Sequence, residues 1–126
     1  ELVRILQKAG LDAQYRKGDY EDPLKGVVKI TDQYHNQVDL ITGIHGMDDE
    51  AFKRIVRVSF LKRTIRLIGI EDFIAMKISA GSPKDLDDAL GVLKVSRQSI
   101  HVDLLEKLTK KYGKKAVNIL GSLLSE

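Results

Sequence analysis

The segment Ile70–Leu93, IEDFIAMKISAGSPKDLDDALGVL, decides how the second half of the chain folds. Its apolar residues recur at helical spacing on both sides of the turn formers Ala80–Pro83, which predicts two helices joined by a tight turn. Ser82 is a good N-cap, Pro83 takes the first helical position, and Asp85 follows three residues after the cap. The segment therefore predicts a helical hairpin whose second helix has a well-defined start.

One lysine interrupts the apolar pattern of the first of these helices. On a helical wheel Lys77 falls between Phe73 and Ile74, inside the face that also carries Met76 and Ala80. Glu71, Asp72 and Ser79 are predicted to lie on the opposite face. Because a buried lone ammonium is costly, Lys77 must reach solvent, a carboxylate or a ligand anion.

Two acids on the next helix are candidate partners for this lysine. Asp85 and Asp88 lie together on one flank of the second predicted helix. Two interpretations of Lys77 stay open. Either it pairs with these acids and pins the two helices together, or its compact charge binds a phosphate.

Composition sets broad limits on the class of protein. The chain has 126 residues, of which 43% are hydrophobic and 31% charged, as in ordinary globular domains. It contains no cysteine, which excludes disulfides and thiolate chemistry and fits the cytoplasmic location that we expect. No apolar run approaches the roughly 18 residues of a membrane span, so no membrane partner is expected. The net charge of +3 favours an anionic partner only weakly.

The order of apolar patterns predicts the fold class. Strands are predicted over residues 11–16, 26–31, 37–42, 55–61 and 64–68, and helices over 1–9, 48–53, 71–80, 83–94, 100–112 and 114–124. The last two strands form a hairpin around Lys62-Arg63. A sheet-forming part followed by about four helices indicates the α+β class. We expect residues 1–69 and 70–126 to be the two parts of a single compact domain.

Asp39 is the first candidate for chemistry. It lies in the middle of a predicted strand, on the same face as Gln37 and Ile41. An acid there runs against strand propensity, and such exceptions are often functional. A solvated carboxylate on an edge strand is an equally good interpretation.

A basic cluster lies on and around the second predicted hairpin. It consists of Lys53, Arg54, Arg57, Lys62, Arg63 and Arg66. Solvated faces and protection of edge strands are the simplest reason for such charges. The cluster lacks the interleaved aromatic residues that stack on single-stranded bases, although it fits a position beside a polyanionic substrate.

Taken together, these motifs resemble a known family. The residues VDLITGIHG (38–46), the basic hairpin, and IEDFIAMKISAGSPKDLDD (70–88) resemble the downstream part of the minimal nucleotidyltransferases. These enzymes belong to the polymerase β-like superfamily, and AbiEii-type toxins are their relatives. The resemblance covers nearly all of residues 1–94. It implies a mixed sheet with two hairpins, flanked by helices, and Mg²⁺-dependent transfer of NMP from an NTP to an acceptor hydroxyl.

The resemblance also implies roles for single residues. Asp39 corresponds to the third of three carboxylates that hold two Mg²⁺ ions, so it is the predicted catalytic residue and metal ligand. Lys77 corresponds to the lysine that reaches the nucleotide phosphates. Asp85 and Asp88 correspond to the acids that orient this lysine and complete the nucleotide-binding group. The acceptor, which is a small molecule, RNA or a protein, and an antitoxin-type partner are left open.

The chain departs from the family at its start. The family's G-S or G-G helix start and its D-x-D strand are expected upstream of a helix such as 1–9, and this chain has neither. One carboxylate does not hold two Mg²⁺ ions tightly. We therefore expect the chain, as a fragment or a degenerate member, to be inactive as given. The alternative is a non-catalytic module that docks a protein or nucleic acid and uses Lys77 only structurally.

Overall fold

Five α-helices and five strands form within residues 1–125, the part of the chain that the computed structural model describes. They are α1 (Leu2–Lys8), β1 (Asp12–Lys17), β2 (Leu24–Thr31), β3 (Gln37–Ile44), a 3-10 helix (Asp49–Lys53), β4 (Val56–Phe60), β5 (Arg63–Leu67), α2 (Ile70–Ala80), α3 (Pro83–Val95), α4 (Val102–Lys110) and α5 (Lys114–Leu124). The predicted α+β class is confirmed, with four helices following the last strand. No helix in this range is long and apolar enough to cross a membrane.

Contacts within the chain divide it into two units, residues 1–45 and 46–126. The two parts expected from the sequence, residues 1–69 and 70–126, have a different boundary, and their union in one compact domain stays a prediction. The 3-10 helix and the β4–β5 hairpin group with the helices, and one physical reason is an ion pair. Arg54, which follows the 3-10 helix, pairs with Asp72 of α2.

The first unit is an antiparallel sheet in the order β1-β2-β3, with α1 packed on β1. Gln7 fixes the helix to the sheet by donating a hydrogen bond from Nε2 to the Ala13 carbonyl at 3.0 Å. Ala13 and Val28 are buried. Gly26 lies at an irregularity in the β2–β3 ladder, where a Cβ would fall 2.7 Å from the Tyr15 hydroxyl, so a larger residue would displace this side chain.

The second unit contains a separate antiparallel hairpin, β4–β5. Both sheets of residues 1–125 are thus antiparallel, whereas the resemblance implies one mixed sheet. The two-residue turn is Leu61-Lys62, not the predicted Lys62-Arg63, and this shifts the pairing so that Arg57 lies opposite Arg66. Leu61 and Lys62 have φ values of 46° and 62°, as in a type I′ turn. The sequence lacks the Asn-Gly or Asp-Gly pair that normally marks such a turn.

Helix α2 is central to the second unit and packs against α3, α4 and α5. Its buried apolar residues are Ile74, Ala75 and Ile78. The core is completed by Ala89, Leu93, Leu105, Leu108, Ala116 and Leu120. The predicted apolar face of α2 is thus partly wrong. It omitted Ala75 and Ile78, which are buried because helices surround α2 on several sides, and it included Ala80, which is exposed at the helix end.

The turn between α2 and α3 forms as the sequence predicts. Gly81 ends α2 in the left-handed region with φ 70°, which glycine adopts without steric cost. The Ser82 hydroxyl caps α3 by accepting a hydrogen bond from the Asp85 amide at 3.2 Å. This turn brings the start of α3 back beside the end of α2.

The β4–β5 turn yields a prediction about stability. Left-handed backbone at a residue with a side chain costs on the order of 1 kcal/mol. Replacing Leu61-Lys62 by Asn-Gly should therefore stabilise the hairpin by about 1 kcal/mol and slow amide exchange in β4 and β5 about fivefold. Arg63→Gly is the control, because Arg63 has strand geometry and glycine there should speed exchange. Unchanged protection in the Asn-Gly variant would show that the turn is not strained.

Candidate functional site

The ammonium of Lys77 is held between two carboxylates at the junction of α2 and α3. Its Nζ donates to Asp85 Oδ1 at 2.8 Å and to Asp88 Oδ2 at 2.9 Å. The Lys77 side chain is 21% exposed. Asp85 is also tied to the helix cap, since its Oδ2 accepts a hydrogen bond from the Ser82 hydroxyl at 2.6 Å. The structure therefore brings together the lysine and the two acids that the sequence singled out.

These contacts shift the protonation equilibria of the cluster in opposite directions. Hydrogen bonds to Asp85 and then Asp88 raise the pKa of Lys77 above its usual value. The hydrogen bond from Lys77, followed by the one from Ser82, lowers the pKa of Asp85. The lysine is therefore cationic and Asp85 anionic at neutral pH.

The two carboxylates outweigh the charge of Lys77, whose side chain stays partly exposed. One ammonium faces two carboxylates, so the group of three carries a formal charge of −1. An ammonium has three N–H donors, and two are used by the acids. Lys77 Nζ also lies 5.7 Å from the centre of the Phe73 ring, at the edge of the cation–π range. One N–H of Lys77 is therefore left without a carboxylate partner.

Asp39 lies in the first unit, in β3, which forms one edge of the three-stranded sheet. Its side chain is exposed and accepts a hydrogen bond from Gln37 Nε2 at 3.1 Å. Lys29 is directly opposite on β2, and Gln14 is opposite Lys29 on β1. Asp39 therefore belongs to a polar row across one face of the sheet, and its oxygens are open to solvent.

The carboxylates of the described residues do not assemble into a metal centre. Within residues 1–125, no group of three or more His, Asp or Glu side chains is placed to hold an ion. The chain does contain one Asp-x-Asp sequence, at Asp85–Asp87, but it lies in helix α3 and Asp87 is exposed. The residues present therefore do not fit a two-Mg²⁺ site by themselves, since Asp39 is a single carboxylate with no other acid grouped around it.

A second charged cluster was missed by the sequence analysis. Asp72, predicted on the polar face of α2, is instead buried, with 5% of its surface exposed. Its carboxylate accepts two hydrogen bonds from the Arg54 guanidinium, at 2.7 Å from Nε and 2.8 Å from the terminal nitrogen. This two-point contact raises the pKa of Arg54. The sequence shows no signal for the pair, because 18 residues separate its partners.

The Arg54–Asp72 pair extends toward α4. Asp48 contacts Arg54 at 3.4 Å and also accepts a hydrogen bond from Lys111. The Lys111 hydrogen bond is the main reason that the pKa of Asp48 is lowered. Nearby, burial and the charges of Asp72 and Asp48 raise the pKa of Tyr112 to about 12. This network ties residues 48–54 to α2 and α4.

The structure divides the predicted basic cluster. Lys53 pairs with Glu50 at 2.7 Å, and Arg54 with Asp72. The remaining members, Arg57, Lys62, Arg63 and Arg66, have no acidic partner within residues 1–125. All four belong to the β4–β5 hairpin or its turn and are exposed.

Comparison of the chain with protein-family models, with curated proteins and with solved structures finds no match.

The buried pair predicts a specific loss of stability. Asp72→Asn should lower the free energy of unfolding by about 2 kcal/mol, because it leaves the Arg54 charge without its principal partner. The value is below that for a fully buried pair, since Arg54 keeps contact with solvent. Asp87→Asn, an exposed change of the same charge on α3, should stay within about 0.5 kcal/mol. Urea unfolding followed by circular dichroism measures both, and equal midpoints would contradict the role of Asp72.

The pKa shift of Asp85 predicts the response to acid. Its lowered pKa means that the unfolded chain binds this proton more readily than the folded chain. The stabilisation is therefore present above about pH 4, the range of an unfolded aspartate, and is lost as pH falls through the folded pKa. Asp85→Asn should be less stable than wild type at pH 7, and the gap should narrow below pH about 4. Urea midpoints measured at both pH values test this, with Asp87→Asn as control, and a constant gap would contradict it.

Proposed function

We propose that this chain is the downstream part of a minimal nucleotidyltransferase-like domain, located in the cytoplasm. In the intact form, the domain transfers NMP from an NTP to an acceptor hydroxyl with Mg²⁺. Lys77 contacts the nucleotide phosphates, Asp85 and Asp88 orient it, and Asp39 contributes one carboxylate ligand. The chain as given, which lacks a D-x-D strand among its described residues, is inactive in this proposal.

The observation that carries the proposal is the geometry around Lys77. A lysine that binds a phosphate at a defined place needs a fixed ammonium group. Two hydrogen bonds shorter than 3 Å fix the ammonium of Lys77. One N–H remains for an anion, while the raised pKa keeps the charge. The net charge of the cluster opposes a triphosphate, so Lys77 contributes to phosphate binding through one charge-assisted hydrogen bond and not through a positive field.

The exposed position of Asp39 supports the second part of the proposal. Carboxylate oxygens are the ligands that Mg²⁺ prefers, and those of Asp39 are open to solvent. A single carboxylate leaves the ion mostly hydrated and weakly held. The other two carboxylates must therefore be supplied by residues outside the described set. No described residue identifies the acceptor or an antitoxin-type partner.

A non-catalytic binding module is the second candidate function, and one observation favours it. Carboxylates of the chain itself take two of the three N–H donors of Lys77, as expected for an ion pair that only fastens α2 to α3. In this alternative, loss of the lysine affects stability alone. The two candidates therefore differ in what Lys77 does to nucleotide use.

A single labelling experiment tests the proposal. The protein, extended by any natural residues upstream of Glu1, is incubated with Mg²⁺ and α-labelled NTP, and labelled products are followed against NTP concentration. Asp39→Ala should abolish labelling, whereas Asp12→Ala, an exposed change of the same charge on β1, should not. Lys77→Met should raise KM at least tenfold, as for loss of a charge-assisted hydrogen bond of about 1.5 kcal/mol.

Controls separate the two candidate functions. Lys84→Met removes the same charge from an exposed position on α3 and should leave KM unchanged. Equal labelling by wild type and Asp39→Ala would exclude the catalytic role of Asp39. A lowered melting temperature in Lys77→Met with an unchanged KM would assign the lysine to the fold alone.

A further inference from the structure

The β4–β5 hairpin has two faces of opposite character. Side chains alternate along each strand, and directly paired residues lie on the same face. The pairs Val56–Leu67, Val58–Ile65 and Phe60–Arg63 form a mainly apolar face. The pairs Arg57–Arg66 and Ser59–Thr64 form the other face, which we call the arginine face. Every side chain on this face can donate hydrogen bonds, and none is acidic.

The Arg57–Arg66 pair is costly in the isolated chain. Like charges directly opposite each other destabilise an antiparallel pair. Both side chains are exposed, and neither has a carboxylate within 4.0 Å in the part of the chain that the structure describes. The nearby Lys53 and Arg54, in contrast, each have an acid. Within the basic cluster, the charges that have no acidic partner are therefore those of the hairpin.

From this arrangement we propose that the arginine face binds the phosphodiester backbone of a nucleic acid. Arginine, serine and threonine side chains supply many of the known contacts to nucleic-acid phosphates. A single guanidinium group can donate two parallel hydrogen bonds to the oxygens of one phosphate. The hydroxyls of Ser59 and Thr64 add donors on the same face. A two-stranded ribbon is also narrow enough to enter the major groove of a duplex.

The composition of the face indicates the kind of binding. It has no aromatic side chain on which a base could stack, and no Asn or Gln for reading adenine edges. Binding through this face therefore depends on charge and on the backbone, with little preference for sequence. Affinity should fall steeply with salt, as counterions are released from the neutralised phosphates.

Edge-strand protection and membrane binding account less well for the two arginines. Protection of edge strands needs charged side chains, but it does not need two arginines facing each other. An arginine opposite an acidic residue would protect the edge equally well. On a membrane surface, the hairpin would insert its apolar face into the lipid. Because the two faces are opposite, Arg57 and Arg66 would then point away from the lipid. Neither Asp39 nor Lys77 belongs to the arginine face, so nucleic-acid binding there is independent of nucleotide transfer.

Salt-dependent binding to a short duplex DNA and to a single-stranded RNA of the same length tests the proposal. In wild type, the logarithm of the association constant should fall linearly with the logarithm of salt concentration. Arg57→Gln/Arg66→Gln should weaken binding and reduce the magnitude of the duplex slope by about 2, close to one unit per lost phosphate contact. A larger effect on the duplex or on the RNA identifies which nucleic acid the face prefers, and either result supports the proposal.

The matched control removes the same charge from the same hairpin. Lys62→Gln/Arg63→Gln alters the turn and the apolar face, and should leave the slope within about one unit of wild type. An equal reduction of the slope in both double variants would overturn the proposal that the arginine face is the binding site. Binding would then be a result of net charge alone. Absence of salt-dependent binding in wild type would also overturn it. Equal affinity for polyglutamate or for anionic vesicles, with the same dependence on Arg57 and Arg66, would overturn the choice of nucleic acid.

Two measurements guard against a misfolded variant. Removing a like-charge pair should leave the melting temperature of Arg57→Gln/Arg66→Gln equal to or above that of wild type. Independently of any variant, NMR titration of wild type with the same oligonucleotide should shift the Nε–H signals of Arg57 and Arg66. Shifts confined to residues outside the hairpin would contradict the proposal.

Discussion

Charge compensation on helix α2 is the constraint on which the second unit depends. This helix packs against three others and carries a buried acid and a partly buried base, Asp72 and Lys77. Each is acceptable there only because opposite charges meet it at hydrogen-bond distance. Arg54 compensates Asp72 from residues that precede the hairpin, and Asp85 with Asp88 compensates Lys77 from the next helix. These two groups of ion pairs therefore hold Arg54 and α3 beside α2.

The parts of the fold that the sequence predicts are those whose signals are local. The boundaries of α2 and α3, the Ser82 cap and the Gly81 stop follow from residues only a few positions apart. The Lys77 cluster was also predictable, because Asp85 and Asp88 lie on a helix that a tight turn brings back. In that case helical periodicity and turn chemistry together place three side chains in one region.

The features that the sequence does not predict depend on distant partners or on weak turn signals. Asp72 lies outside the apolar stripe that the wheel gives α2, and its burial depends on an arginine 18 residues earlier. The register of β4–β5 depends on a turn made by Leu61 and Lys62, residue types that seldom adopt positive φ. That register matters for function, because a turn one residue later would not have placed Arg57 opposite Arg66. Opposition of the two arginines is a property of the structure and not of the sequence pattern.

The two charged regions of the second unit differ in a way that bears on where ligands bind. Around Lys77 the chain supplies its own counterions, so an incoming anion must compete with two carboxylates or use the one remaining N–H. On the arginine face the chain supplies none among its described residues, and the like charges repel each other until an anion arrives. The hairpin therefore presents uncompensated positive charge to a polyanion, whereas the Lys77 cluster offers one hydrogen-bond donor. A protein that joined nucleotides to a nucleic acid would need both properties, but each can exist without the other. One property resides in the hairpin and the other at the α2–α3 junction, so a mutation can remove either one and leave the other intact.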